Sequence, residues 1–224
     1  MSQTEQNKIT VVDSIMGQGK TSWAIQEMNQ DAGPWLYITP YLDEVDRIID
    51  SCPDREFTQP LNEYRSGGGA SSRSKSEDLL KLIRDGENIA TTHALFKLMD
   101  AKTMKALRAN GYSMIMDEVI EVITPLKVTK EVHGTLFSKG LLVYDPATTD
   151  ADNVRRVLRG PDSAFDSFSL PNGKGMLTVQ MVRSWAETNR MVEVNGGLLM
   201  WLLPADCFKA FERIYNLTYL FDGS

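Results

Sequence analysis

Ser14-Ile15-Met16-Gly17-Gln18-Gly19-Lys20-Thr21-Ser22 decides how the rest of this chain is read. Two glycines flank one glutamine, and a Lys-Thr pair follows at once. Glycines at these positions let backbone N–H groups turn inward around an anion, where a Cβ would obstruct them. A β-branched run at 9–12 precedes the stretch, and a helical pattern at 20–29 follows it. The turn therefore leads from a strand into a helix N-terminus, whose dipole favours negative charge. The reading is a phosphate-binding turn.

The stretch fits the P-loop pattern G-x-x-x-x-G-K-[ST], with Ser14 standing where the pattern has its first glycine. Met16, Gly17, Gln18, Gly19, Lys20, Thr21 and Ser22 are the expected nucleotide-binding residues. Lys20 has the reach to meet the β- and γ-phosphates, and the Thr21 hydroxyl is a ligand for Mg²⁺. A second acidic site supports this. Ser113-Met114-Ile115-Met116 is a short apolar run ending in Asp117-Glu118, as in a Walker B element. A strand beside the P-loop strand would bring Asp117 to the metal. Glu118, one residue on, is then the expected general base for an attacking water. The expected cofactors are ATP and Mg²⁺, with Lys20 and Glu118 as catalytic residues.

Outward from these motifs, short apolar runs at 35–39, 88–91 and 113–116 alternate with amphipathic segments such as 42–49. Continuous apolar runs separated by helical stretches predict a parallel sheet with crossover helices, giving a three-layer α/β sandwich. A Gly/Ser-rich stretch at 66–76, carrying Arg73 and Lys75, reads as a loop. Residues 131–203 read as an α+β elaboration inserted between core strands. It holds a helix at 150–158, a basic cluster at Arg155, Arg156 and Arg159, and a hairpin turning at Asn195-Gly196-Gly197. A helix at 205–215 and a fifth core strand at 217–221 complete the expected order.

The chain has 224 residues, with 24 Lys or Arg against 30 Asp or Glu, a net charge of −6. This balance argues against a polybasic binder that holds nucleic acid by charge alone, while leaving room for a local basic groove. With only Cys52 and Cys207, a disulfide framework or a closed zinc site is not expected. The polar opening MSQTEQNK lacks an apolar leader, and the longest apolar stretch, 198–203, is far below the roughly 20 residues of a membrane helix. No membrane association and a cytoplasmic location are expected.

With Gly19-Lys20-Thr21 and Asp117-Glu118 in hand, the chain resembles the first RecA-like domain of a superfamily 2, DEAD/DEAH-like helicase, of the kind bacteriophages encode. Ile38-Thr39-Pro40-Tyr41 looks like motif Ia. Ala90-Thr91-Thr92-His93-Ala94-Leu95-Phe96 resembles the Thr-His segment after the third strand. Leu217-Thr218-Tyr219-Leu220-Phe221 sits where motif III couples hydrolysis to movement. The resemblance covers about residues 8–124 and 203–222. It implies a single RecA-like ATPase domain over 1–224, acting on DNA more than RNA in phage replication or recombination. Thr39, Pro40, Thr92 and His93 become contacts to a nucleic-acid backbone, where hydroxyls position a strand without reading its sequence. Thr218 and Tyr219 become coupling residues.

The chain also departs from the family. Such helicases work as two RecA-like domains, the second supplying an arginine finger, and no counterpart of that arginine motif is identified here. An arginine finger contributes roughly 10³–10⁵ in turnover. The expectation is a fragment, or a domain completed in trans by a partner such as a replication protein, binding Mg-ATP but hydrolysing it slowly alone. Two other readings stay open: an ATP-gated adaptor, and a nucleoside kinase resembling the thymidine-kinase type. The latter usually carries a four-Cys zinc lasso that two distant cysteines do not supply.

Overall fold

A computed structural model describes residues 9–15, 19–61, 74–148, 153–166, 179–188 and 190–219. The chain divides into two compact units, Met1–Ile120 with Ala205–Ser224, and Glu121–Pro204. In chain order the first unit contributes β1 (Ile9–Asp13), α1 (Lys20–Gln30), β2 (Trp35–Thr39), α2 (Leu42–Ser51), α3 (Lys75–Asp85), β3 (Ile89–Thr92), α4 (His93–Lys97), α5 (Ala101–Ala109) and β4 (Ser113–Asp117). The second unit holds β5 (Ile123–Pro125), α6 (Lys130–Ser138), β6 (Leu142–Tyr144), β7 (Val154–Arg159), α7 (Asp162–Asp166), α8 (Val179–Glu187), β8 (Met191–Val194) and β9 (Leu198–Leu202). The chain then returns to the first unit for β10 (Ile214–Thr218).

The first unit is α/β, built on a five-stranded, wholly parallel sheet of order β1-β10-β4-β2-β3. Side chains alternate across a strand, so β2 sends Trp35 and Tyr37 to one face and Leu36 and Ile38 to the other. All four are fully buried. On the first face they join Ala24 and Met28 of α1, Val45 and Ile48 of α2, Ala90, Ile115 and Leu217 in one apolar cluster. Burial on both faces is what continuous apolar strands of a parallel sheet require.

The register aligns the strand ends. Asp13 pairs with Thr218, Leu217 with Asp117, and Thr39 with Thr92. Asp13, Thr218, Asp117, Thr39 and Thr92 thus share the carboxyl edge of the sheet, the edge where open α/β sheets bind ligands.

The second unit is an antiparallel sheet of order β5-β9-β8-β7-β6. Asn195 and Gly196 adopt positive φ, 52° and 68°, and turn β8 into β9 at the expected place.

Several expectations are corrected. The segment expected as a helix at 150–158 forms β7 from Val154. There Arg155 pairs with Glu193 and Val157 is fully buried, so cross-strand packing overrides the local helical pattern. The expected helix at 205–215 is a short 3-10 turn, Ala205–Ala210, and the last core strand begins at Ile214 rather than 217. Pairing of Ile214 with both Ile9 and Met114 sets that start. Phe221 and Leu220 lie outside the described residues. The second unit begins at Glu121 instead of 131, because β5 pairs with β9. In the Gly/Ser stretch, Lys75 and Ser76 belong to α3, which Ser74 caps reciprocally with Glu77. Arg65 and Arg73 lie outside the described residues. Trp35 and Trp201 are core as expected, and Trp185 is half-buried.

Candidate functional site

Gly19 caps α1 in the left-handed region, φ 85°. A Cβ there would meet no atom within 4 Å, so the backbone conformation and not space calls for glycine. Lys20 opens α1, and its ammonium donates to the Ser14 carbonyl at 2.7 Å. Thr21 Oγ1 accepts from Arg47 Nη2 at 3.2 Å. Met16, Gly17 and Gln18 lie outside the described residues.

Asp117 closes β4 beneath this helix start. One expectation changes: β4 is not beside β1, since β10 lies between them and pairs with both. Burial pushes the Asp117 carboxyl above its usual range. The Tyr37 hydroxyl opposes this, Glu44 and Glu118 reinforce it, and Arg47 pulls it back. Burial likewise pushes the Tyr37 phenol far up, with Asp117 adding to the effect.

Glu118 follows in the left-handed region at φ 64°, uncommon for a non-glycine residue, with its N–H donating to the Leu217 carbonyl at 2.9 Å. The turn leaves the Glu118 side chain exposed. Backbone conformations of this kind concentrate at functional sites.

A cleft of about 480 Å³ joins these groups. Gly19, Lys20, Thr21 and Ser22 line it from α1, Thr39 and Pro40 from the end of β2, and Asp117 and Glu118 from the end of β4. Thr218, Tyr219, Glu44 and Arg47 also face it. Of the expected site residues, Gly19, Lys20, Thr21, Ser22, Asp117, Glu118, Thr218 and Tyr219 are therefore brought together at one sheet edge. Thr39 is fully buried in the cleft wall, and its hydroxyl has no hydrogen-bond partner among the described residues. Tyr219 is largely exposed just beyond β10, with Lys20 Nζ 5.9 Å from its ring centre.

Thr92 and His93 do not line the cleft. Thr92 caps α4, accepting from the Leu95 N–H at 3.4 Å. His93 lies against the Asp117 backbone, and burial holds its imidazole below the usual pKa against that neighbour's pull. In the second unit, the basic cluster read from the sequence is distributed among partners. Arg156 pairs with Asp145 at 3.6 Å, and Arg159 pairs with Asp162 and Glu187.

Sequence reasoning missed Arg47, Glu44 and Tyr37. Arg47 and Glu44 read as solvent-facing charges of an amphipathic helix, and the i,i+3 spacing of Glu44 and Arg47 was the one available signal. Among the described residues, no group of three or more His, Cys, Asp or Glu side chains gathers as a metal-binding cluster. No helix of the described residues is long and apolar enough to cross a membrane.

The chain is similar to the SPbeta prophage-derived uncharacterized protein YonV of Bacillus subtilis (strain 168). The two are 33% identical over 220 residues, which cover 96% of this chain and 50% of that protein. The chain thus spans about half the length of the curated relative it matches. No protein-family model matches the chain. No solved structure matches it.

Proposed function

We propose that the first unit is a RecA-like P-loop ATPase, the motor domain of a superfamily 2 type helicase or translocase. The observation that carries the reading is convergence: Lys20 and Thr21 from the start of α1 face the same cleft as Asp117 and Glu118 from the end of β4. These four residues come from distant segments, and their chemistry is that of phosphoanhydride hydrolysis. Lys20 neutralises phosphate oxygens. Glu118, exposed in the cleft, takes the proton of the attacking water as its oxygen bonds to the terminal phosphorus and ADP leaves.

The donor set suits Mg²⁺, a hard cation that takes oxygen ligands and keeps several waters. Thr21 and Asp117 are the residues that hold it, and when bound it neutralises charge on the phosphate oxygens. The unpartnered Thr39 hydroxyl supplies a further polar group in the cleft wall. The nucleic-acid backbone runs past the carboxyl edge near Pro40, Thr92 and His93, and Thr218 and Tyr219 link that edge to the nucleotide. A second RecA-like domain, in cis or in trans, completes the motor. A role in phage DNA replication or recombination accords with the prophage origin in the relative's name.

The test is ATP turnover with and without single-stranded DNA and RNA, with Glu118→Gln as control. Strand-stimulated hydrolysis that vanishes in the variant supports the motor. Binding of Mg-ATP without turnover, even with a polynucleotide, supports an ATP-gated adaptor instead. Phosphotransfer to a nucleoside would replace both with a kinase.

A further inference from the structure

Arg47 is the one guanidinium among the described residues that line the cleft. It stands on the second turn of α2, and its neighbour on that helix, Glu44, forms an ion pair with it. A surface i,i+3 pair by itself has little energetic or functional meaning. Arg47 does more than pair along its own helix. Its Nη2 crosses to α1 and donates to Thr21 Oγ1. Its charge is felt at two groups further in, lowering the pKa values of both Asp117 and Tyr37 against the opposing effect of burial.

Those partners locate the guanidinium. Thr21, Asp117 and Glu118 mark the end of the cleft where the last phosphate and the metal are handled, not the end that takes a base. Charge balance points the same way. Among the described residues, three carboxylates, Glu44, Asp117 and Glu118, face the cleft against two cations, Lys20 and Arg47. With that balance the side-chain cations carry weight in holding a polyanion, and a planar guanidinium is the group best matched to paired phosphate oxygens.

We infer that Arg47 is a phosphate-binding residue supplied from within this chain, which engages the terminal phosphate of a nucleoside triphosphate and so distinguishes triphosphate from diphosphate. Glu44 is its positioning residue, keeping the guanidinium over the cleft. Lys20 and Arg47 divide the phosphate chain between them. The inference rests on the nucleotide-site reading above and adds a specificity determinant to it.

The test is direct binding of fluorescent ADP and of a fluorescent non-hydrolysable ATP analogue, each with Mg²⁺, to the whole chain and to Arg47→Ala and Arg47→Lys. The expected result is that Arg47→Ala weakens the triphosphate analogue by about tenfold, equivalent to about 1.4 kcal/mol, and ADP by less than about twofold. Arg47→Lys keeps the charge but not the planar fork, and recovers part of the loss. Equal weakening of both nucleotides, or no change in either, overturns the inference while leaving the nucleotide site standing. If the unmodified chain binds neither nucleotide, the site reading falls and the inference with it. Circular dichroism and a thermal melt of each variant serve as the control for folding.

Discussion

The Thr218 hydroxyl donates to the Asp13 carboxylate at 3.0 Å, joining two residues that are also register partners at the ends of β10 and β1. Thr218 is buried, while Asp13 is exposed. Strands that meet only through backbone bonds at their last residue fray easily, and this side-chain bond secures the edge from which the Ser14 N–H also reaches the Thr218 carbonyl.

Replacing Thr218 by valine keeps the shape and β-propensity but removes the donor. Asp13 retains access to water, so the expected loss is about 1 kcal/mol in urea unfolding. Thr218→Ser restores most of it. An unchanged midpoint in Thr218→Val would show that the bond adds no stability. If Thr218 also couples the site to a strand, the valine variant loses polynucleotide stimulation in greater proportion than basal turnover.

Asp117 carries a pH signature. Its carboxyl is held above the usual range chiefly by burial, so the folded chain keeps this proton more tightly than the unfolded chain. Between the ordinary carboxylate value and the raised one, folding takes up a proton, and stability falls as pH rises through that window. Above the window the ionised, half-buried carboxylate is a standing cost. Asp117→Asn removes the charge at nearly constant shape. The variant is expected to melt higher than the natural chain at pH 7, by about 2–4 °C for each kcal/mol relieved. The difference closes below the ordinary carboxylate pKa. On the proposed function, turnover is expected to be lost in the same variant, the exchange of stability for activity common at functional sites. A variant that melts no higher at pH 7 would contradict this account.

How much of this was legible in the sequence depended on how local each feature is. Trp35–Thr39 was readable to the residue because a buried parallel strand is a continuous apolar run bounded by turn residues, here Gly33-Pro34 and Pro40. Asp117 and Glu118 were readable as the acidic end of such a run. Glu118's left-handed backbone was not, because nothing in its residue type announces it. The segment 150–158 was misread as a helix because the apolar spacing of Val154, Val157 and Leu158 is helical, while Met191 and Leu142, next to β7 in the sheet, lie outside that window. Arg47 had no readable address for the same reason. Only the packing of α2 beside α1 on one sheet face carries its guanidinium to Thr21.

The second unit contains a buried carboxylate that should govern its stability. Glu193 on β8 is 2% exposed and holds two partners, His133 Nε2 at 2.7 Å and the Tyr144 hydroxyl at 2.8 Å. Phe137 packs against both partner rings, centred 4.9 Å from His133 and 4.6 Å from Tyr144. Removing the carboxylate takes the 2.7 Å contact from the largely buried His133, while Tyr144 is exposed and keeps access to water. Glu193→Ala is expected to destabilise by about 1–3 kcal/mol, and Tyr144→Phe, which leaves one carboxylate oxygen short of a donor, by about 1 kcal/mol. Urea unfolding followed by tryptophan fluorescence reads the change through the buried Trp201 on neighbouring β9. A Glu193→Ala loss below about 1 kcal/mol would mean that His133 and Tyr144 are satisfied without it.

Two glycines of the same unit should respond to alanine with opposite signs. Gly160 follows β7, and its N–H donates to the Leu141 carbonyl at 2.8 Å. A Cβ built there falls 1.7 Å from the Gly140 carbonyl oxygen, a backbone atom that moves only if the bend between α6 and β6 moves. Gly160→Ala is expected to cost about 2–4 kcal/mol through forced backbone displacement. Gly134 lies inside α6, and a Cβ there meets nothing within 4 Å. Its replacement removes unfolded-chain freedom at no steric cost, so Gly134→Ala should stabilise by about 0.5–1 kcal/mol. Thermal melts of the two variants side by side test both. The same sign for both would show that backbone entropy or local strain, rather than the approach of Gly140 to Gly160, governs this part of the second unit.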